Sequence, residues 1–444
     1  MQKIIYIAAL AVFLTSCGIY GKYSRPDKIT GKNLYGNTIE ENADSSTLAT
    51  LSYKEIFTDP LLQDLIVTAL ERNTDIQTLE FAVKQAEAGY TASKLAFIPG
   101  FNFAPKGGYN ISETSYGWDY AIPLAMDWEI DIFGKFVNQK RKAGAALAMT
   151  QEMKLASQTQ VVATVASLYF QLLMLDEQLI ITDSTARKWR ETVNVMQLMK
   201  EAGMMNEVSV SQTEATCYAI ETGVLNLQKR IQNVENSLCL ILKQVPQHIV
   251  RGSMQEQVLP EELNVGVSAQ LLANRPDVRQ AEYNLEQYFY GVQHARSQFY
   301  PSIKINGSIA YIHNFIPSII GSLTQPIFAH GAIKSNYEIS KAKYEQALLA
   351  FEQKLLAAGS QVNNALLQCK TARQKRIVRE KQIAALTKAM EYTQELMTNG
   401  STTYLEVIYT QQTLLDAQTN QLADWLEEAQ GVVTLYQSLG GGVK

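Results

Sequence analysis

Apolar and polar side chains alternate without a break from residue 116 to residue 132. The even-numbered positions are all large and apolar: Tyr116, Trp118, Tyr120, Ile122, Leu124, Met126, Trp128, Ile130 and Ile132. A period of two predicts a β-strand with one apolar and one polar face. An aromatic-rich face opposite carboxylates is typical of a barrel strand between lipid and a wet lumen. We therefore expect the even residues from Trp118 to Ile130 to face lipid or the lipid boundary.

A proline inside this strand and a weaker second alternation complete the β-pattern. Pro123 removes a backbone donor from the strand interior, which predicts a bulge there. In the second half of the chain the alternating apolar positions are Ile303, Ile305, Ile309, Tyr311 and Phe315. The sequence thus predicts strand pairs near 99–132 and 302–328.

Two segments of more than 60 residues have a seven-residue apolar period instead. In the first, the apolar positions include Val161, Val165, Leu168, Leu172, Leu175, Leu179, Ala186, Trp189, Val193 and Met196. In the second they include Tyr344, Leu348, Phe351, Leu355, Ala358, Val362, Ala365, Cys369 and Ala372. This period predicts helices that supercoil left-handedly. Roughly 65 helical residues extend about 100 Å, far more than an ordinary domain needs.

The two halves of the chain repeat one plan. Asn73-Thr74-Asp75-Ile76 precedes Pro99 as Arg275-Pro276-Asp277-Val278 precedes Pro301, at an offset of 202 residues. Further along, Gly203 matches Gly400 at an offset of 197. Such ordered self-similarity is the signature of an internal two-fold repeat.

The predicted organisation is a signal peptide followed by two copies of this plan. Residues 1–16 are the signal peptide, and repeat 1 covers 17–270. It has an N-terminal segment, a helix near 75–97, the strand pair near 99–132, a long helix 135–200, a return helix 205–243 and an equatorial linker 244–270. Repeat 2 covers 271–444, with a helix 277–299, the strand pair near 302–328, a long helix 332–399 and a return helix 403–437.

The N-terminus has the pattern of an export signal. Lys3 precedes the apolar stretch Ile4–Leu14, which is too short to span a bilayer. The following Thr15-Ser16-Cys17-Gly18 resembles a bacterial lipobox, in which the cysteine is acylated and becomes the new N-terminus. We expect lipid attachment at Cys17, and Gly18 after it favours sorting to the outer membrane. An ordinary signal peptide ending near a cysteine is the alternative.

Composition and charge exclude several classes of protein. The net charge is −4 without a Lys/Arg cluster, which gives no reason to expect nucleic acid. After residue 17 no stretch of 18 apolar residues predicts a membrane-spanning helix. The three further cysteines, Cys217, Cys239 and Cys369, are predicted to be free and buried.

No catalytic constellation is present. The sequence lacks His-Glu-x-x-His, Gly-x-Ser-x-Gly and a phosphate-binding glycine loop, so we expect no enzyme and no cofactor. The histidines are scattered at His248, His294, His313 and His330. We expect no metal site, because no methionine or histidine cluster marks a metal path.

Seven short motifs, in order along almost the whole mature chain, resemble the TolC-like outer-membrane efflux proteins, specifically their lipoprotein branch. They are Ile56-Phe57-Thr58-Asp59-Pro60-Leu61, Trp128-Glu129-Ile130-Asp131-Ile132-Phe133-Gly134, Leu272-Ala273-Asn274-Arg275-Pro276-Asp277-Val278, Phe299-Tyr300-Pro301, Thr324-Gln325-Pro326-Ile327-Phe328, Tyr404-Leu405-Glu406-Val407-Ile408 and Leu439-Gly440-Gly441-Gly442. Two positions depart from the family pattern. Val443 stands where tryptophan is usual, and His330 where glycine or aspartate is usual.

The resemblance implies a mainly α fold with a membrane β-barrel. Each chain of a homotrimer would give four strands to a 12-stranded barrel and its long hairpins to a periplasmic α-barrel. Trimerisation is physically sensible, since four strands cannot close and open edges in lipid leave backbone groups unpaired. The implied function is the outer-membrane exit duct of a tripartite pump. Its partners would be a periplasmic adaptor, an inner-membrane pump and outer-membrane lipid.

Two candidate sites lie at the hairpin ends. A glycine between long helices favours a reversal, so Gly203, Met204, Gly400 and Ser401 are predicted to form the periplasmic tip where an adaptor docks. By resemblance, the resting duct would be constricted at Leu405, Glu406 and Tyr409, with Leu405 forming an apolar ring and Glu406 an acidic one.

The sequence is also compatible with other functions. The chain could serve as a type I secretion duct, or as a periplasmic coiled-coil adaptor lipoprotein, although adaptors have one hairpin rather than two. A diffusion porin is excluded by the dominance of helix. The cargo, whether drug, metal or protein, is not set by the sequence.

Overall fold

The structure is a computed structural model that describes residues 21–26, 34, 51–112, 115–260, 275–311, 315–327, 329–398 and 402–441. The predictions for the signal peptide, Cys17, His313, Gly400 and Ser401 fall outside these residues. The chain divides into two compact units. One comprises Met1–Thr30, Leu79–Met153 and Asp277–Leu355, and the other Gly31–Thr78, Lys154–Pro276 and Leu356–Lys444.

The fold is mainly helical. The helices of the described residues are α1 (Tyr53–Ile56), α2 (Pro60–Arg72), α3 (Thr74–Leu95), α4 (Lys135–Glu201), α5 (Glu207–Ile241), α6 (Pro276–Ser297), α7 (Ala332–Thr398) and α8 (Tyr404–Ser438). A short 3₁₀ helix spans Met254–Glu256. Three pairs of helices have equal lengths: 22 residues for α3 and α6, 67 for α4 and α7, and 35 for α5 and α8. The predicted ends differ from these by no more than about two residues, the usual uncertainty of helix ends.

The seven-residue series predicted in the two long helices forms their buried stripe. In α4 the members Val165, Leu172 and Ala186 are fully buried, and in α7 Phe351 and Val362 are fully buried. An 18-residue window of α4 is apolar enough to cross a membrane by length and composition, but 67% of it is buried within the fold. Its hydropathy is therefore explained by packing against other helices of the chain.

The strands form one antiparallel sheet. They are β1 (Gly100–Phe103), β2 (Lys106–Ser112), β3 (Ser115–Ile130), β4 (Ser302–Tyr311) and β5 (Phe315–Thr324). Both β1 and β2 pair with β3 in one continuous register, interrupted only at residues 104 and 105. The order across the sheet is β1 and β2, then β3, β4 and β5. The sheet is therefore four strands wide, and it is not closed within the chain.

The predicted bulge at Pro123 is wrong. The register of β3 against β4 is unbroken on both sides of Pro123, which lies opposite Ala310. On the other side the Ala104 amide donates to the Pro123 carbonyl at 3.4 Å. In an antiparallel ladder the N–H and C=O of one residue point to the same neighbour. The missing donor of Pro123 thus faces the gap between β1 and β2, so β4 loses no hydrogen bond.

The predicted alternation also runs two residues too far. Strand β3 ends at Ile130, because the next residue, Asp131, forms a hydrogen bond with the first turn of the following helix. The Asp131 carboxylate accepts a hydrogen bond from the Val137 amide in the first turn of α4, at 2.7 Å. An acidic oxygen at a helix N-terminus satisfies an otherwise unpaired amide. In the second half, β5 ends at Thr324 rather than near 328.

One face of the sheet is apolar across all strands. Because opposed residues share a face, the register places Leu124 beside Phe103 and Ile309. Further members of this face are Phe101, Tyr109, Trp118, Tyr120, Ile122, Met126, Ile305, Pro317, Ile319 and Leu323. Most of them are exposed. The opposite face carries polar groups that include Asn102, Lys106, Asp127, Lys304, Asn306, Ser308, Ser318 and Ser322.

Candidate functional site

The chain reverses direction at Gly203, between α4 and α5. Gly203 has φ +73°, a conformation that favours glycine, and open space lies where a Cβ would be. Its amide donates to the Lys200 carbonyl, and the Met204 amide donates to the Met199 carbonyl, both at 2.9 Å. These two bonds form a Schellman motif that ends α4. Asn206 then caps α5 through its side-chain oxygen. The turn is thus tightly built, while its role in docking stays a prediction.

The equivalent turn of the second half is described only in part. Gly400 and Ser401 lie outside the described residues, and α8 begins at Tyr404 after Thr403. The Thr402 hydroxyl donates to the Glu406 carboxylate and so joins the loop to the first turn of α8. On the first turn, Met204 is 70% exposed, as a docking residue would have to be.

The residues expected at the constriction lie on the surface of the chain. Leu405 is 60% exposed and Tyr409 is 74% exposed, and Glu406 beside them is also exposed. Leu405 and Tyr409 are four residues apart, so they share a face of α8. Leu405 therefore does not pack between helices of its own chain. It is available to a lumen or to a neighbouring copy, and its role as a gate stays a prediction.

A cluster that sequence reasoning missed lies directly behind this surface. Met196, Val210, Tyr404 and Val407 are buried against one another. Methionines 199, 205, 390 and 397 are half-buried and pack against them. The cluster is one of apolar packing, so the expectation that no methionine cluster marks a metal path stays a prediction. The sequence does not reveal this packing, because the contributing helix ends are about 200 residues apart along the chain, and only Met196 and Met199 give a local signal.

A buried ionic network fixes the predicted equatorial linker against the long helix. The Arg251 guanidinium, 8% exposed, donates to Asp176 of α4 at 2.8 Å and to Glu235 of α5 at 2.5 Å. Burial alone would raise the pKa of Glu235. Hydrogen bonds from Arg251 and from the Ile249 amide outweigh it and hold that pKa below its ordinary value. Sequence reasoning missed this network, since nothing in the spacing of its members marks them.

At position 428 the second hairpin contains a buried charge where the first has an apolar residue. The Glu428 carboxylate of α8 is buried and accepts from Arg373 of α7 at 2.8 Å and from Arg376 at 3.3 Å. The residue 197 positions earlier is Ile231, which is buried without a charge. At this position the two equivalent helix pairs are therefore joined by different chemistry, a difference that the repeat itself could not predict.

The predictions for cysteine hold, and the histidines are dispersed. Cys217, Cys239 and Cys369 are free and buried, as expected. Within the described part of the chain, no group of three or more His, Cys, Asp or Glu side chains could hold a metal ion. His330 adopts φ +51° beside Gly331. Glycine adopts this left-handed conformation readily, and asparagine, aspartate and histidine adopt it more often than other residues do.

Solved structures share this arrangement of long helices and sheet. The MtrE outer membrane channel of Neisseria gonorrhoeae matches with a TM-score of 0.84 at 22% sequence identity, over 96% of this chain and 99% of that chain. The fold is thus the one found in TolC-like outer-membrane channels.

Residues 65–242 and 267–441 match the family described as Outer membrane efflux protein, and the chain belongs to that family. The Cation efflux system protein CusC of Escherichia coli O157:H7 is 25% identical over 98% of this chain and 97% of its own length. The Solvent efflux pump outer membrane protein SrpC of Pseudomonas putida is 23% identical over 97% and 96%.

Membership of this family indicates where the protein is located and with which partners such channels work. The chain is an outer-membrane efflux channel. TolC-like channels form homotrimers and work with a periplasmic adaptor and an inner-membrane pump. The members of the family are channels rather than enzymes.

Proposed function

We propose that three copies of this chain close into a 12-stranded barrel, with four strands from each, above an α-barrel of six hairpins. The observation that carries the proposal is the sheet, whose apolar face is exposed and whose opposite face is polar. In lipid, every backbone group of a spanning sheet must be paired, so two open edges are not tolerated. The edges formed by β1 with β2 and by β5 are the surfaces where copies would pair.

The matched helix lengths support the α-barrel. Helices α3 and α5 total 57 residues, from 22 and 35, which is close to the 67 residues of the long helix α4. The same lengths recur in α6, α8 and α7. Two short helices stacked beside one long one, repeated twice in a chain, would make a wall of six similar hairpins in a trimer.

Native mass spectrometry of the full chain in detergent tests this assembly. We expect a species of three chains, and one conducting unit per trimer in a planar bilayer. A monomer or dimer that carries the same conductance would contradict the proposal.

The duct is passive in this proposal. It has no catalytic role, and the pump and adaptor select the cargo. The relatives support this division, since CusC is named for cation efflux and SrpC for solvent efflux on the same framework. A type I secretion duct remains the alternative function.

Lipid attachment at Cys17 is the first residue-level prediction. Each buried CH₂ of an acyl chain contributes about 0.8 kcal/mol to membrane anchoring. Metabolic labelling with a fatty acid should therefore mark the wild type and not the Cys17→Ser variant. Because the barrel itself is embedded, the variant should still assemble. Cys239→Ser, which removes a buried thiol, is the control and should keep the label. Equal labelling of all three proteins would exclude Cys17.

The second residue-level prediction is that the adaptor docks at the hairpin ends. A photo-crosslinking side chain at Met204 or Ser401 should form a covalent product with the adaptor, because Met204 lies in the turn after α4 and the sequence predicts the equivalent turn at Ser401. The matched control is Leu240, which is exposed at the opposite end of α5. Products from Leu240 alone would place the adaptor elsewhere.

The third residue-level prediction is that the resting duct is constricted at Leu405 and Glu406. Three copies of Leu405 would form an apolar ring that resists wetting, and three copies of Glu406 an acidic ring that favours cations. In planar bilayers Leu405→Ser should raise the resting conductance, and Glu406→Gln should lower the preference for cations. Val208→Ser, at the position equivalent to Leu405, is the control and should change the conductance less. Unchanged conductance and selectivity in both variants would move the gate elsewhere.

A further inference from the structure

The two open edges of the sheet are complementary in their backbone. The Ala104 amide donates to the Pro123 carbonyl, so the even-numbered residues of β1 and β2 point their backbone groups toward β3. The odd-numbered residues of these two strands therefore point theirs outward. Carried through the register to β5, the same alternation leaves the odd-numbered residues of β5 pointing outward as well. Each edge thus offers the N–H and C=O groups of its odd-numbered residues.

The outward-pointing residues also carry the apolar face. On β1 and β2 they include Phe101, Phe103 and Tyr109, and on β5 they include Ile319 and Leu323. If odd residues of β5 in one copy pair with odd residues of β1 and β2 in the next, the apolar face continues across the junction. A shift by one residue would break both the ladder and the face. The displacement between the sheets of two copies is therefore an even number of residues.

The tilt of barrel strands sets the size of this displacement. One row of directly opposed residues crosses the sheet at Ser318, Ser308, Ala125 and Asn102. Equivalent residues of symmetric copies lie at the same height, whereas a row of a tilted sheet climbs as it crosses the strands. With strands about 4.8 Å apart, about 3.3 Å per residue and a tilt of about 35–45°, four strands displace the row by roughly four to six residues. Since odd values are excluded, the displacement is four or six.

The lower ends of the strands give the direction of the displacement. Strand β1 begins at Gly100, in one row with Ile320, whereas β5 continues four residues further to Thr324. Because strand ends of a membrane barrel lie at one depth, this stagger reports the sense of the tilt. The same tilt, continued into the next copy, moves β5 toward β2. Without displacement Phe315 would lie opposite Pro105, and β2 would have no partner strand in lipid, which leaves its backbone groups unpaired.

We propose that β5 of one copy pairs along both β1 and β2 of the next, with Ser318 opposite Lys106 or Gly108. This register rests on the proposed trimeric barrel and specifies how its copies are joined. Pro105 and Pro317 have odd numbers, so each removes one donor from the ladder between copies. That ladder therefore has two hydrogen bonds fewer than an unbroken one.

Disulfide trapping on the polar face tests the register. Ser318→Cys is combined in turn with Asn102→Cys, Lys106→Cys and Gly108→Cys, which represent displacements of zero, four and six. These even-numbered positions form the non-hydrogen-bonded pairs of the ladder between copies, where side chains are closest. Within one chain β5 and the β1–β2 edge are three strand spacings apart, about 14 Å, so no disulfide can join them there. The full-length variants are oxidised mildly in detergent and separated by non-reducing gel electrophoresis.

We expect covalently linked copies from the combination with Lys106→Cys or with Gly108→Cys. We expect none from the combination with Asn102→Cys, nor from the four single-cysteine variants, in which the native Cys217, Cys239 and Cys369 are buried. Linkage through Asn102→Cys, or no linkage in any combination while native mass still shows three chains, would overturn the register. Native mass reports the trimer separately, since the lack of a three-chain species in the wild type would instead contradict the proposed function.

Discussion

A lysine at position 124 should abolish insertion of the channel into the outer membrane, whereas a lysine at position 125 should not. Leu124 lies on the apolar face, between Phe103 of β1 and Ile309 of β4. A basic residue on a lipid-facing position costs about 2–4 kcal/mol near the midplane. Three copies would bring that to roughly 6–12 kcal/mol per trimer, which is comparable with the whole stability of an ordinary domain.

Ala125 is the matched control because it differs by one residue and points to the other face. The register places it beside Asn102 and Ser308. That face already carries Lys106 and Lys304, so a further lysine meets water and polar groups. The fraction of protein in outer-membrane trimers that resist urea extraction measures the outcome. If Leu124→Lys and Ala125→Lys insert equally well, the apolar face does not meet lipid.

The helices and faces could be predicted from the sequence because they follow from periodicity. A period of seven marks the buried stripe of α4 and α7, and a period of two marks the faces of β3. These patterns depend on residues that are close together in the chain and lie on the same face of one helix or strand. One wrong detail, the bulge at Pro123, depended on a partner. A missing backbone donor costs a hydrogen bond only if the opposing strand has an acceptor facing it. The nitrogen of Pro123 faces the gap between β1 and β2 beside Ala104, so no hydrogen bond is lost.

The candidate sites could be predicted only in part, for the same reason. The turn at Gly203 could be predicted from the local sequence, because the left-handed position that follows a helix end favours glycine. The methionine cluster and the contacts of Arg251 join segments far apart along the chain, and no period connects them. Arg251 is 75 residues from Asp176, with no motif between them. Such contacts become visible only when the helices are packed.

Replacing Arg251 with methionine should cost about 3–5 kcal/mol of stability at pH 7, the usual effect of removing one partner from a buried ion pair. Methionine keeps most of the side-chain volume, so the loss is electrostatic. Asp176 and Glu235 would lose their shared guanidinium, and Glu235 is almost completely buried. At about 2 °C per kcal/mol for a unit of this size, the thermal transition should fall by roughly 6–10 °C.

Two controls separate this effect from a general loss of charge. Arg187 forms an exposed pair with Asp183 on α4, and Arg187→Met should cost less than about 1 kcal/mol. A triple variant with Arg251→Met, Asp176→Asn and Glu235→Gln removes the unpaired charges, and it should recover much of the lost stability. A triple variant as unstable as Arg251→Met would show that packing, and not charge, sets the cost.

The effect of Arg251→Met should also depend on pH. In the wild type the pKa of Glu235 lies below its ordinary value of 4.5, so the stability it contributes is present above that pH and is lost as the pH falls through the lowered pKa. Without Arg251, burial becomes the dominant influence and raises the pKa of Glu235, so its carboxyl group is protonated at a higher pH than in the wild type. The gap in thermal transition between variant and wild type should therefore be largest near pH 7 and should narrow as the pH falls to about 4. Circular dichroism melts across this range measure the gap, and a constant gap would mean that Arg251 stabilises the linker by packing alone.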